Sequence, residues 1–470
     1  MENSLLDIKN LNLYIKDKHI LKDIDLEIGQ GEIVLICGKS GSGKSTFASV
    51  LSGYYKNIGG EISFDKLQIA GENIDQVKTY DRHPYALVSF QNARLSLSTN
   101  TLREELIFIL ENLRADPKKM DDIVENQAKA HKLEDILDKK FDNLSGGQLQ
   151  MAAFCAISMI DSKIYILDEP FANIDNEKVE FLQEFIKKMK DDGKSFIIID
   201  HRLDVWDFVD RAVLLSRDGK ILKDHINLGD LTDDDKAVLM ENGLISPEGF
   251  SVEKNKDQSQ KLIRARDLSL SYGDGKILLK DANFDIKKNK MTAITGQSGT
   301  GKSSLFKVLL KKLAYDGSVK IDGKEVKAYK NKDYYKNIGL VFQDPTLQFI
   351  TTSLRDEIKL NMDISDEKIS NFLEKYGLDT YLDRSPWTLS QGEQRRLAVV
   401  IMVLMGKKIL LVDEPTYGQD LENSIKIMDE LKDLSKNASI IFTSHDKSLV
   451  NMYADEIFEI KDKKVKRLDR

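Results

Sequence analysis

The chain has 470 residues, more than one ordinary domain and enough for two hydrophobic cores. Its 70 Lys and Arg stand against 77 Asp and Glu, a formal charge of −7, which counts against a broad nucleic-acid footprint built on phosphate neutralisation. Cys37 and Cys155 lie in apolar runs away from disulfide or metal spacings and read as buried thiols, residues 1–10 lack the apolar core of a signal peptide, and no run of about 18 apolar residues offers a membrane span. A cytoplasmic protein is expected, without direct membrane insertion.

In chain order, the apolar run 33–37 reads as a buried strand. It leads into Gly38-Lys39-Ser40-Gly41-Ser42-Gly43-Lys44-Ser45-Thr46 and a helical stretch. Glycines let the backbone curl so that N–H groups point inward at phosphate oxygens, aided by the positive end of the following helix. Lys44 is placed to bridge β- and γ-phosphates, and Ser45 to ligate Mg²⁺. Residues 102–133 have helical patterning without strands, the mark of an inserted helical subdomain. The apolar run 164–167 ends at Asp168, where a carboxylate can meet the loop's magnesium, and Glu169 follows, placed to orient a water and accept its proton. Residues 179–190 carry Val179, Leu182, Phe185 and Ile186 at helical spacing. The run 196–199 precedes His201, whose imidazole can contact a γ-phosphate. Strands alternating with helices imply an α/β fold.

The chain then repeats itself. Tyr14, Gly38 and Lys44 recur as Tyr272, Gly296 and Lys302; Gln91, Thr99 and Arg103 as Gln343, Thr351 and Arg355; Ser145, Asp168 and Glu169 as Ser390, Asp413 and Glu414. The second loop reads Gly296-Gln297-Ser298-Gly299-Thr300-Gly301-Lys302-Ser303-Ser304, after the strand 291–295, with Ser303 and Asp413 as its magnesium ligands. Of the six histidines, only His201 and His445 occupy equivalent places. A second helical insertion is expected at 354–376. The repeat sets a first domain at 1–226 and a second at 262–470. Between them, 227–261 is a connector, with one short helix in 231–244 opening on Thr232-Asp233-Asp234-Asp235 and a charged, flexible part at 251–261.

Leu144-Ser145-Gly146-Gly147-Gln148, ahead of Asp168, makes each half resemble the ATP-binding-cassette ATPases, phosphate-loop NTPase domains with an inserted helical subdomain. The resemblance covers nearly the whole chain, twice. It implies two cassettes packed head to tail within one chain, with each ATP held between the loop of one and the signature motif of the other. Lys44 then shares its nucleotide with Ser390 and Gly392, and Lys302 with Ser145, Gly147 and Gln148. The same resemblance makes Tyr14 and Tyr272 the adenine-stacking aromatics. Gln91 and Gln343 become the residues that reach magnesium and water, and Asp175 and Asp420 those that sense the opposite site. The second signature departs from the pattern: Gln391 replaces a glycine and Glu393 a glutamine. A carboxylate near the γ-phosphate repels it, so the Lys44 site is expected to turn over more slowly.

Val341-Phe342-Gln343-Asp344-Pro345-Thr346-Leu347-Gln348-Phe349 is similar to the energy-coupling-factor importers, whose ATPases present a groove after the glutamine to a helix of a membrane subunit. The first half keeps only the opening of that pattern in Phe90-Gln91-Asn92. This implies an ATPase at the cytoplasmic face of the cell membrane, held there by integral-membrane coupling and substrate-binding subunits. It would drive uptake of a vitamin or metal ion. The alternatives are a soluble tandem cassette protein acting on ribosomes or nucleic acid, for which the chain lacks a basic insert, and an ATPase of another importer or exporter.

Overall fold

A computed structural model of the chain describes residues 4–39, 41–90, 93–171, 176–245, 260–271, 277–297, 299–360, 362, 364–374, 376–417, 419 and 421–468. It divides into two compact units, Met1–Pro247 and Glu248–Arg470.

In the first unit Ile33–Cys37 lies in the middle of a six-stranded sheet, between Ser195–Ile199 and Arg211–Leu215. Ile164–Asp168 and Ala86–Ser89 extend the sheet in parallel beyond Ser195–Ile199, and Ile221–Ile226 closes the other edge antiparallel. The strands are short and apolar because both faces are covered. Alternate residues feed different cores, as the pleat requires. Val34, Ile36, Ile166 and Ile197 pack with Phe47 and Leu51 of the helix Lys44–Ser52. Leu35, Leu167 and Ile198 join the core that holds the helices Leu102–Asn112, Met120–Ala130 and Gly146–Ile157. The first two of these form the expected helical insertion. An antiparallel sheet of Leu6–Ile15, Lys18–Ile28 and three shorter strands covers the first face. Periodicity in the sequence did not single it out.

The second unit repeats this order, with Met291–Gly296 between Ser439–Thr443 and Glu456–Lys461, then Ile409–Val412 and Ile338–Val341. Its insertion holds Leu354–Lys359 and Asp366–Glu374, and Gln391–Leu404 follows.

The two units finish the loop-bearing helix differently. Arg82, 1% exposed, donates to the carbonyls of Val50 at 2.9 Å and Leu51 at 3.3 Å, and to Val77 at 2.9 Å. In the second unit the hydroxyls of Tyr334 and Tyr335 serve the carbonyls of Leu309 and Leu310. Both devices satisfy the orphaned C-terminal carbonyls that any helix leaves.

The helix expected in the connector is Asp233–Glu241, with Thr232 and Asp235 in a reciprocal capping box. Its Leu239 and the following Leu244 are buried in the core of the first unit, which ends at Pro247. Residues 251–259 of the charged part lie outside the described residues, and Lys261 opens the strand Lys261–Ser271. His131 is 1% exposed, ringed by Phe154 and Phe185, with Nδ1 3.0 Å from the Gln127 carbonyl and Nε2 3.2 Å from Ser158. Burial holds its pKa below the ordinary value. Cys37 and Cys155 are buried free thiols, as the sequence implied.

Candidate active site

Each phosphate loop leaves the carboxyl end of its central strand and enters a helix. Gly38 (φ +154°) and Gly296 (φ +140°) stand at the departure, where a Cβ would lie 2.3 Å from the Leu215 carbonyl oxygen and 2.5 Å from that of Ile460. No side chain fits there. Gly41, Gly43, Gly299 and Gly301 also have positive φ and complete the curl. Lys44 and Lys302 open the helices Lys44–Ser52 and Lys302–Leu309 at only 8% and 7% exposure. Lys44 Nζ donates to the carbonyls of Gly38 at 2.8 Å and Lys39 at 2.9 Å, and Lys302 Nζ to those of Gly296 at 2.8 Å and Gln297 at 3.1 Å. Each ammonium is thus held at the centre of its own loop. Ser42 N–H and Thr300 N–H close the curl on the carbonyls of Lys39 and Gln297. Thr46 and Ser304 lie in the first turn, where the Thr46 carbonyl accepts from Ser49 and Ser304 is buried.

Asp168 is the last residue of its strand and 6% exposed, with the Ser45 hydroxyl near enough to draw its pKa down. Burial pushes its pKa up to about 6, and the neighbouring Glu169 and Asp200 add to this against Ser45 and Lys44. A hydroxyl beside a buried carboxylate is the oxygen pair that Mg²⁺ takes together with phosphate oxygens. A divalent ion there would offset the charge that burial penalises, so the donor set fits the metal. In the second unit Asp413 accepts from Thr443 Oγ1 at 2.6 Å, and Ser303 is exposed at the matching helix position.

Glu169 and Glu414 both adopt left-handed backbone, at φ +46° and +48°. For a residue other than glycine this costs on the order of 1 kcal/mol, and such strain gathers at functional sites. The anchors are backbone N–H bonds, from Glu169 to the Ile199 carbonyl at 2.8 Å and from Glu414 to Thr443 Oγ1 at 2.9 Å. Glu414 is 9% exposed and burial pushes it up to about 7, opposed by Lys302. The histidines meet these carboxylates through different ring atoms. His201 Nδ1 lies 3.4 Å from Glu169 and 3.6 Å from Asp200. Burial works against the charged ring, but Glu169 and Asp200 together raise its pKa. His445 instead turns Nε2 to Glu414 at 3.3 Å and to Lys302 at 3.1 Å.

The signature serines cap the helices Gly146–Ile157 and Gln391–Leu404. Ser145 N–H donates to Gln148 Oε1 at 3.0 Å and Gln148 N–H to Ser145 Oγ at 3.3 Å. In the second half Glu393 occupies the same box, taking both the N–H and the hydroxyl of Ser390 at 2.8 Å. Its extra charge is therefore spent at a helix N-terminus, where carboxylates are stabilised. Gly147 and Gly392 are buried in the first turns, and a Cβ on Gly392 would lie 2.8 Å from Gln419 Oε1. Tyr14 is exposed and stacks on His19 at 4.1 Å and 17°, a two-ring platform of which the sequence reading found only the tyrosine. Gln343 is exposed, and its carbonyl accepts from Arg395 at 2.7 Å. Arg395, buried, also donates to the carbonyls of Pro415 and Tyr417, joining the signature helix to the segments beside Gln343 and Glu414. The expected Ser40, Gln91, Asp175, Tyr272, Ser298 and Asp420 lie outside the described residues.

The ABC transporter family profile matches residues 21–172 and 279–417. A putative HMP/thiamine import ATP-binding protein of Bacillus subtilis is 28% identical over 98% of this chain and 90% of its own length. A putative ABC transporter ATP-binding protein of Treponema denticola is 30% identical over 95% of this chain and 92% of its own. Among solved structures, RNase-L inhibitor superposes with a TM-score of 0.66 at 19% identity, covering 99% of this chain and 90% of that one. The last likeness is one of fold.

Proposed function

The chain belongs to the ABC transporter family, a tandem of two ATPase domains that use ATP with Mg²⁺, and from that premise we propose that it is the motor of an energy-coupling-factor importer for a vitamin or metal ion. It works at the cytoplasmic face of the cell membrane through integral-membrane subunits. In each half the loop N–H groups and Lys44 or Lys302 hold the phosphates. Glu169 or Glu414 takes a proton from the water that attacks the γ-phosphorus, and His201 or His445 steadies that geometry. Ser45 with Asp168, and Ser303 with Asp413, would hold a magnesium ion, which would supply charge neutralisation at the phosphates. Gln91 and Gln343 connect the nucleotide to the helical insertions. The halves pair head to tail, so that Lys44 shares its nucleotide with Ser390 and Gly392, and Lys302 with Ser145 and Gly147. ATP closes the halves and hydrolysis reopens them.

The observation that carries the transport reading is the surface after Gln343. Leu347 and Ile350 are each 72% exposed, on either side of the buried Phe349, whose ring meets Trp387 edge-on at 6.3 Å. Phe349 fills the core, whereas Leu347 and Ile350 offer apolar side chains to a partner helix. The first half offers Leu95, 70% exposed, in the matching turn. Unlike grooves suit an asymmetric membrane partner, and the import protein of Bacillus subtilis supports the same direction. No described helix is long and apolar enough to cross a membrane, and in this reading the coupling surface serves a separate subunit. Purification of the tagged chain from its host membranes tests this. Integral-membrane subunits are expected to accompany it and to be lost with Leu347→Asp and Ile350→Asp. Recovery with ribosomes and without membrane subunits would replace transport by the soluble reading.

A further inference from the structure

The first half carries a carboxylate beside its histidine that the phosphate-loop chemistry does not use. Asp200 is 2% exposed, and three N–H groups converge on it. Oδ1 accepts from the backbone of His201 at 2.7 Å and Arg202 at 3.0 Å, and Oδ2 from the indole of Trp206 at 2.9 Å. Trp206 is fully buried and stacks on Phe171 at 4.2 Å and 7°. Phe171 follows Glu169 by one proline, and its carbonyl accepts from Arg202 at 3.3 Å. One connected unit thus spans the histidine's turn and the segment that carries Glu169. The second half has Ser444, Thr416 and Val450 at the matching places, and there His445 presents the other ring nitrogen to its glutamate.

We propose that Asp200 is a positioning residue for hydrolysis in the first half. Its carboxylate sets the backbone and ring of His201 so that Nδ1 faces Glu169, and Trp206 with Phe171 ties that setting to the Glu169 segment. An imidazole's two nitrogens flank Cε1 and direct their bonds outward in divergent directions, so fixing Nδ1 on Glu169 leaves Nε2 for a phosphate oxygen. A buried acceptor with three donors has one arrangement, and a small misplacement of a reacting group is enough to slow chemistry. The inference rests on the reading of Glu169 and His201 as the hydrolytic pair.

The test is steady-state MgATP hydrolysis by the full chain, with kcat and KM separated and the scale set by Glu169→Gln and His201→Ala. Asp200→Ala is expected to lose at least about half of the activity that Glu169→Gln loses, with KM within about twofold. Asp200→Asn keeps an acceptor for the two backbone N–H groups and should recover part of the loss. Trp206→Phe keeps the stack on Phe171 but removes the indole donor, and should lose at least about a quarter of the activity that Glu169→Gln loses. Wild-type kcat in both Asp200→Ala and Trp206→Phe, or a loss carried by KM and not recovered in Asp200→Asn, overturns the proposal. If Asp200→Ala does not fold, Trp206→Phe decides alone. Wild-type activity in Glu169→Gln and His201→Ala would instead remove the underlying site reading, and the proposal with it.

Discussion

His445 Nε2 and Lys302 Nζ lie 3.1 Å apart, and the same ring nitrogen is 3.3 Å from Glu414. An ammonium can only donate, so Nε2 accepts from it. In the first half Nδ1 faces Glu169 instead. The two halves share lysine, aspartate, glutamate and histidine yet set the histidine differently.

The lysines are held as compact point charges between loop carbonyls. Lys44→Arg and Lys302→Arg should each weaken MgATP binding to the affected site by at least about tenfold, because Arg cannot reproduce a compact three-donor ammonium. Fluorescent-nucleotide titration reads this directly. Undiminished affinity in either variant would show that its lysine is not a phosphate contact.

Glu414→Gln should impair ATP hydrolysis and transport more than Glu169→Gln does. In the proposed pairing the Lys44 site is completed by the altered signature with Gln391 and Glu393. There Ser390 gives both N–H and hydroxyl to Glu393, whereas Gln148 takes only the N–H of Ser145. The serine's hydroxyl is already committed on one side. Removing a general base costs about 10² or more at the site it serves, and the faster site contributes more to the total. Equal losses would remove the asymmetry.

Much of the site was legible because its residues are local in sequence. The glycine pattern, the Asp-Glu pair at a strand end and the Thr232 cap each carry their own short-range physics, and duplication singled out His201 and His445, which lie beside Glu169 and Glu414. Positive φ at Glu169 and Glu414 was not legible, since only the fold imposes it. Asp200 stood in plain view beside His201, but its convergence with Trp206 and Phe171 needs three separate segments. The antiparallel sheet over the first face escaped notice because its strands mix buried and charged positions irregularly around bulges. The connector helix was placed well, yet its docking on the first core depends on Leu239 and Leu244 meeting surfaces distant in sequence.

Arg82→Leu should destabilise the first unit by about 2–4 kcal/mol, since the carbonyls of Val50, Leu51 and Val77 each lose a charged donor. Trp206 and Trp387 are the two tryptophans. Urea unfolding followed by Trp206 fluorescence in a Trp387→Phe background isolates the first unit. A shift below about 0.5 kcal/mol would mean that water serves those carbonyls equally well.

His131 gives the first unit a pH response of known sign. Its folded pKa lies below the ordinary 6.5, so below that pH the unfolded chain binds a proton that the native ring refuses. Stability is therefore full above about pH 6.5 and falls as pH drops towards the folded value. The same fluorescence measurement at about pH 7.5, 6.5 and 5.5 should show a steeper acid loss in the wild type than in His131→Gln. Parallel curves would contradict the assignment.

The pairing of the halves is tested most directly by counting occluded nucleotides in the Glu169→Gln, Glu414→Gln double variant, which should trap two MgATP per chain. Adding Lys302→Ala with Gly147→Asp damages one shared site twice and should leave one nucleotide trapped. Adding Lys302→Ala with Gly392→Asp damages both sites and should leave none. The reverse pattern, one nucleotide with Gly392→Asp and none with Gly147→Asp, would mean that each half binds ATP with its own signature motif, and would contradict the account.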